Sequence, residues 1–143
     1  MSTRRLILAI VVVFVGVWLT NFLIHGLWLQ STYKETMNLW RTEDEMRTHM
    51  GWLMLGQLLF ATIFAVIWSK GFPVTASLGG SCLYGLCMGL FSQASTLVDY
   101  AVQPLPSSLA VKWFVAGLAQ GVFLGILIFF VGKPKPAEGK PQK

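Results

Sequence analysis

Charge is scarce in this chain. Only 12% of its 143 residues are Asp, Glu, Lys or Arg, about half the share a soluble domain carries. That shortfall excludes a surface made mainly for water. Basic residues outnumber acidic ones by 11 to 6, but they do not interleave with aromatics on one solvent-facing stretch, so the excess is no nucleic-acid footprint. The motifs HExxH, CxxC and GxSxG are absent, which removes common metallohydrolase, dithiol and serine-hydrolase templates. The two cysteines, Cys82 and Cys87, sit five residues apart inside one apolar run. Helical geometry puts them on different faces, so they read as small hydrophobes rather than a disulfide. No catalytic residue, metal or cofactor is assigned on these grounds. A non-enzymatic role leads, and a membrane enzyme using His25 and Asp99 for proton transfer is the third reading, after a transporter or channel.

Apolar sequence is what the chain has in quantity, at 55%, in runs close to the ~20 residues a bilayer core demands. The runs cover about residues 6–29, 51–69, 76–97 and 109–131. They predict an all-α, four-helix transmembrane bundle with an amphipathic helical connection between spans 1 and 2. Residues 1–132 form a single membrane domain, and 133–143 form a basic, disordered cytoplasmic tail with too little apolar surface to fold. Arg4 and Arg5 precede a run too long for a signal-peptide core, with no Ala-x-Ala-like cleavage site after it, so it reads as an uncleaved first span. Trp28 and Tyr33 mark its far end, and Trp52 and Trp68 bound the second span, where amphipathic rings favour the headgroup layer. Lys70-Gly71-Phe72-Pro73 reads as a tight turn, Pro104 and Pro106 as an extended one, and Ser107 or Ser108 as the cap of the fourth helix.

Between the first two spans, Thr32 with Glu35 and Thr42 with Glu45 match the capping-box pattern. The first opens a short interfacial helix carrying Tyr33, Met37 and Trp40 on one face, and the second a helix running straight into span two. This connection is either a self-packed membrane-surface segment or a docking site for a partner protein. Counting Lys and Arg orients the whole: Arg4, Arg5, Lys70 and four tail lysines on one side, Lys34, Arg41, Arg47 and Lys112 on the other. Seven against four places both termini in the cytoplasm of a bacterial cell, with the domain in its inner membrane.

Two glycine-rich ladders stand out at four-residue spacing: Ser81, Gly85 and Gly89 on the third span, Gly117, Gly121 and Gly125 on the fourth. In lipid, small residues permit the close backbone approach on which helix association relies. The ladders suit packing of the two spans on each other or a homo-oligomer. Residues 26–32 also resemble 89–95, and Trp52 with Gln57 resembles Trp113 with Gln120, as in two parallel helical hairpins related about the membrane normal.

Polar side chains gather at mid-depth and in the half away from the termini. Asn21 and His25 share a stripe with Trp18 and Trp28 on span one, and Gln57, Gln93 and Gln120 come from the other three. With ~1.5 Å of rise per residue, His25 lies roughly 11 Å past the middle of its span. Such groups turn inward. They form either a polar pocket, with Asp99 at its rim, or interhelical hydrogen bonds worth about 0.6 kcal/mol each.

His25-Gly26-x-x-Leu29 leading to Tyr33, Trp40 and Arg41, with Pro104-x-Pro106 before a tryptophan-led span, resembles small four-span bacterial membrane proteins of no established activity. The resemblance implies one compact four-helix unit and transfers no catalytic residue. The expected function is a non-enzymatic membrane protein, either an accessory subunit of a larger membrane complex or a binder of a small lipid-like ligand. The alternative is an oligomeric small-solute transporter or channel.

Overall fold

Backbone polar groups cannot stay unpaired in hydrocarbon, so an apolar run that crosses a bilayer must bond them within itself. The structure, a computed structural model, describes residues 1–71 and 77–132. Its elements are α1 (Thr3–Asn21), a π-helical segment (Phe22–Trp28), α2 (Gln30–Glu35), a 3₁₀ turn (Met37–Leu39), α3 (Glu43–Thr48), α4 (Met50–Gly71), α5 (Leu78–Val102) and α6 (Ser107–Gly132). Four helices, of 22 to 26 residues, are long and apolar enough to cross a membrane. At ~1.5 Å per residue they reach about 33–39 Å, more than the ~30 Å core. The molecule is an all-α, multi-pass membrane bundle.

The ends of the spans differ from expectation in detail. Helix α5 continues past Leu97 to Val102, keeping Asp99 and Tyr100 helical. Helix α6 begins at Ser107, with the Pro106 carbonyl accepting from Leu109 and Ala110 at 3.0 and 3.2 Å, so neither serine stands outside the helix as its cap. Within the expected turn after Lys70, positions 72–76 lie outside the described residues, as does the tail from 133.

The connection contains one capping box, not two. Thr42 accepts from the Glu45 amide while Glu45 reaches back to the Thr42 N–H, opening α3. That backbone hydrogen bond, ahead of the one from the Thr42 hydroxyl, holds the Glu45 carboxyl below its ordinary value. Thr32 instead lies inside α2, buried, and accepts a hydrogen bond from Lys112 Nζ at 3.0 Å. The helix expected to carry Tyr33, Met37 and Trp40 on one face breaks at Thr36. The Thr36 hydroxyl donates back to the Thr32 carbonyl and accepts from Trp40 Nε1. Tyr33 and Trp40 thereby turn inward together while Met37 points out, 71% exposed. Nor does α3 run unbroken into α4: His49 interrupts it, its Nδ1 2.7 Å from the Glu45 carbonyl oxygen.

The closest approach in the bundle is between antiparallel α5 and α6. A Cβ on Gly85 would strike the Gly121 carbonyl, and one on Gly125 would strike that of Ser81. One on Gly89 would lie 3.1 Å from the Gly117 oxygen. The rungs therefore pair Ser81 with Gly125, Gly85 with Gly121, and Gly89 with Gly117, so the two ladders face each other. Helix α1 packs against α6 on one side and α4 on the other.

The end of the bundle that carries the N-terminus is closed by Trp68, Phe64, Tyr84, Ala9, Val13 and Leu124. Trp68 is not an interfacial ring: it is fully buried, because Gly132 has no side chain to occupy the space its indole takes. Nor is this half purely apolar. Tyr84 Oη donates to the Phe64 carbonyl at 2.5 Å, and Trp68 Nε1 donates to Ser81 Oγ at 3.4 Å. The matching segments 26–32 and 89–95 adopt different structures, the first crossing the π-helix and the turn, the second wholly α-helical. Gly26 faces the Phe22 ring whereas Gly89 faces backbone, so these two segments do not build equivalent elements.

Replacing Gly121 with Val should destabilise the detergent-solubilised protein by about 1–3 kcal/mol through overpacking. Gly56, whose Cβ would meet nothing within 4 Å, should gain about 0.5–1 kcal/mol as Ala. Equal melting temperatures for the two variants would contradict the close α5–α6 contact.

Candidate functional site

The four-residue register that pairs Gly89 with Gly117 brings Gln93 opposite Trp113 at the next rung. Small residues end there, and a cleft of about 270 Å³ begins. Gln93 and Thr96 line it from α5, and Trp113, Gly117 and Gln120 from α6. Ile24 and His25 line it from the π-helical segment. Gly117 is what lets Gln93 lie across α6, since a Cβ there would overlap the Gln93 amide.

A π-helix closes i→i+5 turns and tends to mark functional positions. Here the Leu29 N–H bonds the Ile24 carbonyl at 2.9 Å. The wider turn disrupts the expected stripe. Trp18 and Trp28 point away, 46% and 53% exposed, and Trp18 stacks on Phe22. Asn21 and His25 go to different partners. Gln120 Nε2 donates to Thr20 Oγ1 at 2.6 Å and to Asn21 Oδ1 at 2.9 Å, tying α1 to α6. His25 Nδ1 lies 2.6 Å from the Tyr33 hydroxyl, which also accepts from Trp113 Nε1 at 2.8 Å.

These bonds fasten the connection over the cleft. Tyr33, Trp40 and Trp113 form a ring cluster with centroids 5.4 to 6.5 Å apart. At the same end of the bundle Leu29, Leu105 and Leu109 are buried, and Lys112 bonds Thr32. Within the cleft, Thr96 Oγ1 donates to Gln93 Oε1 at 2.7 Å.

Of the residues singled out in the sequence, His25, Gln93 and Gln120 come together at the cleft, with Asn21 bonded to Gln120 at its edge. Gln57 and Asp99 are not among its lining residues. None of the α4 residues before Ala61 is buried, so Gln57 stays on the margin, its Oε1 shielded and without a hydrogen-bond partner among the described residues. Asp99 lies about a turn beyond Thr96, nearer the end of α5. Tyr33, Thr96 and Trp113 were missed as site residues, and Gly117 was assigned to helix contact alone. The signal for Gln93 and Trp113 was present in the spacing, since both continue the ladders with large side chains. Among the described residues, no three of His, Cys, Asp and Glu gather as a metal site would require.

The arrangement is that of a membrane bundle with a small uncharged polar cleft. No family model, curated protein or solved structure matches the chain.

Burial raises the Tyr33 phenol above its ordinary value, and the hydrogen bond from Trp113 pulls partly the other way. A folded value above the unfolded ~10 means that the unfolded chain gives up its proton first. Stability present below pH ~10 should therefore fall as pH rises from that value to the folded one and level off above it. Phenolate difference spectra of wild type against Tyr33→Phe should show the Tyr33 signal later than free tyrosine. An ordinary titration would contradict its burial.

Proposed function

We propose that this chain is a non-enzymatic membrane protein of the bacterial inner membrane that holds the polar part of a small amphiphile in this cleft. With both termini in the cytoplasm, as the Lys and Arg distribution favours, the cleft serves the outer leaflet. The observation that carries the reading is the contrast between the two ends of the bundle. At one end polar groups from three segments line an open space. At the other, Trp68, Phe64 and Tyr84 fill the interior. A site open at one end, with the other filled by packed side chains among the described residues, favours holding a molecule over passing one through.

The facing ladders also bear on the transporter alternative. Both are taken up by contact within one copy, which leaves neither free to join copies. A role as accessory subunit stays compatible with the same cleft if its ligand is shared with a larger complex.

Protein extracted in mild detergent and examined by native mass spectrometry should retain about one small amphiphile per copy. Ile24→Trp, which fills the cleft from a half-buried position, should lose it while keeping its elution volume. An unchanged lipid complement in wild type and variant would sink the reading. A homo-oligomer that moves solute into liposomes would replace it with the transporter.

A further inference from the structure

Resting on that reading, the hydrogen-bonding inventory narrows the ligand's chemistry. Trp113 Nε1 has only a proton to offer, so the Tyr33 oxygen accepts there. The phenol keeps a second lone pair, so the 2.6 Å contact with His25 Nδ1 does not fix the direction by itself. Giving the Tyr33 proton to Nδ1 is the assignment that leaves that proton an acceptor among the described residues. Neutral imidazole carries one proton, which places it on Nε2 as a donor with no partner among the described residues. On Gln93, Oε1 is taken by Thr96, and the NH₂ group is left to donate. Gln120 is the reverse: both its protons are used on Thr20 and Asn21, leaving Oε1 to accept. The lining thus carries unused donors on two side chains and an unused acceptor on a third.

The cleft has no formal charge on its lining, and the nearby Lys112 ammonium is bonded to Thr32. An ionic headgroup here would lack a counter-charge in a low-dielectric setting, where an unpaired ion costs several kcal/mol. Size is the other constraint. A space of about 270 Å³ falls just under the ~300–1,000 Å³ of sites that enclose a whole small ligand, so only a headgroup fits. A second, almost wholly apolar groove of about 370 Å³ adjoins it, sharing Ile24, Ala116 and Gln120 and continuing along Leu23, Ala119 and Phe123.

We infer that the ligand is an uncharged lipid whose headgroup presents carbonyl oxygen to His25 Nε2–H and the Gln93 amide, with its single chain or one of its chains along the Ala119 groove. A quinone and a diacylglycerol share this chemistry. Trp113 also lines the cleft, and an aromatic side chain there suits the conjugated ring of a quinone.

The test uses the full chain in nanodiscs of one synthetic phosphatidylcholine, titrated with decylubiquinone, its tail-less parent benzoquinone, dioleoylglycerol and phosphatidylglycerol. Saturable binding of decylubiquinone or dioleoylglycerol is expected, and whichever binds more tightly identifies the source. His25→Phe and Gln93→Leu should each weaken it by about tenfold, as for one lost hydrogen bond. Ala119→Trp, at an exposed position that spares the fold, should weaken the long-chain ligand and leave the tail-less quinone unchanged. Tight binding of phosphatidylglycerol alone, abolished by Ile24→Trp, would overturn the neutral-carbonyl assignment while keeping the cleft as a site. Equal affinity of Ala119→Trp and wild type for decylubiquinone would overturn the tail path. Binding of none of the four would remove both this inference and the reading beneath it.

Discussion

Helices α5 and α6 touch through backbone, and the rest of the molecule is arranged about that contact. In hydrocarbon there is little hydrophobic drive to bring helices together, so dispersion at close range and weak polar contacts must do it. Ser81, Gly85 and Gly89 against Gly125, Gly121 and Gly117 supply that range. The contact also sets a register. Once Gly89 is opposite Gly117, the next residues at the same spacing are Gln93 and Trp113, too large to continue the approach. The cleft lies where the small residues run out.

The same device appears at the other end with the opposite result. Gly132 leaves room that the Trp68 indole fills, and Trp68, Phe64 and Leu124 are fully buried there. A missing side chain makes a cavity only if no neighbour is long enough to occupy it. At Gly117 the Gln93 amide covers the glycine but leaves space beside it, and at Gly132 the indole takes everything. Tyr84 and Ser81 add hydrogen bonds to this closed end, so it is held by polar contacts as well as by shape.

The connection between the first two spans is part of the site because its side chains bond across the bundle rather than along it. Thr32 and Tyr33 accept hydrogen bonds from Lys112 and Trp113, consecutive residues near the start of α6. Each is a partner 80 positions away in the chain. Local pattern suggested Thr32 as a helix cap, and the distant lysine took it instead. A threonine three residues before a glutamate satisfies the capping-box pattern wherever it occurs. Whether it caps depends on what else reaches its oxygen.

The number of spans, their approximate limits and the two small-residue ladders were legible in the residue order, because lipid as solvent demands long apolar helices and tight association demands small side chains. Three of the polar residues singled out, His25, Gln93 and Gln120, do meet at the cleft. Their spacing could not say so, since a helix of unknown rotation presents any of its faces. The π-helical turn, the burial of Trp68, the inward turn of Tyr33 and the marginal place of Gln57 were decided by tertiary structure alone. Each depends on which side chain from a remote segment fills a space or completes a hydrogen bond, and residues that meet only after folding leave no periodic trace along the chain.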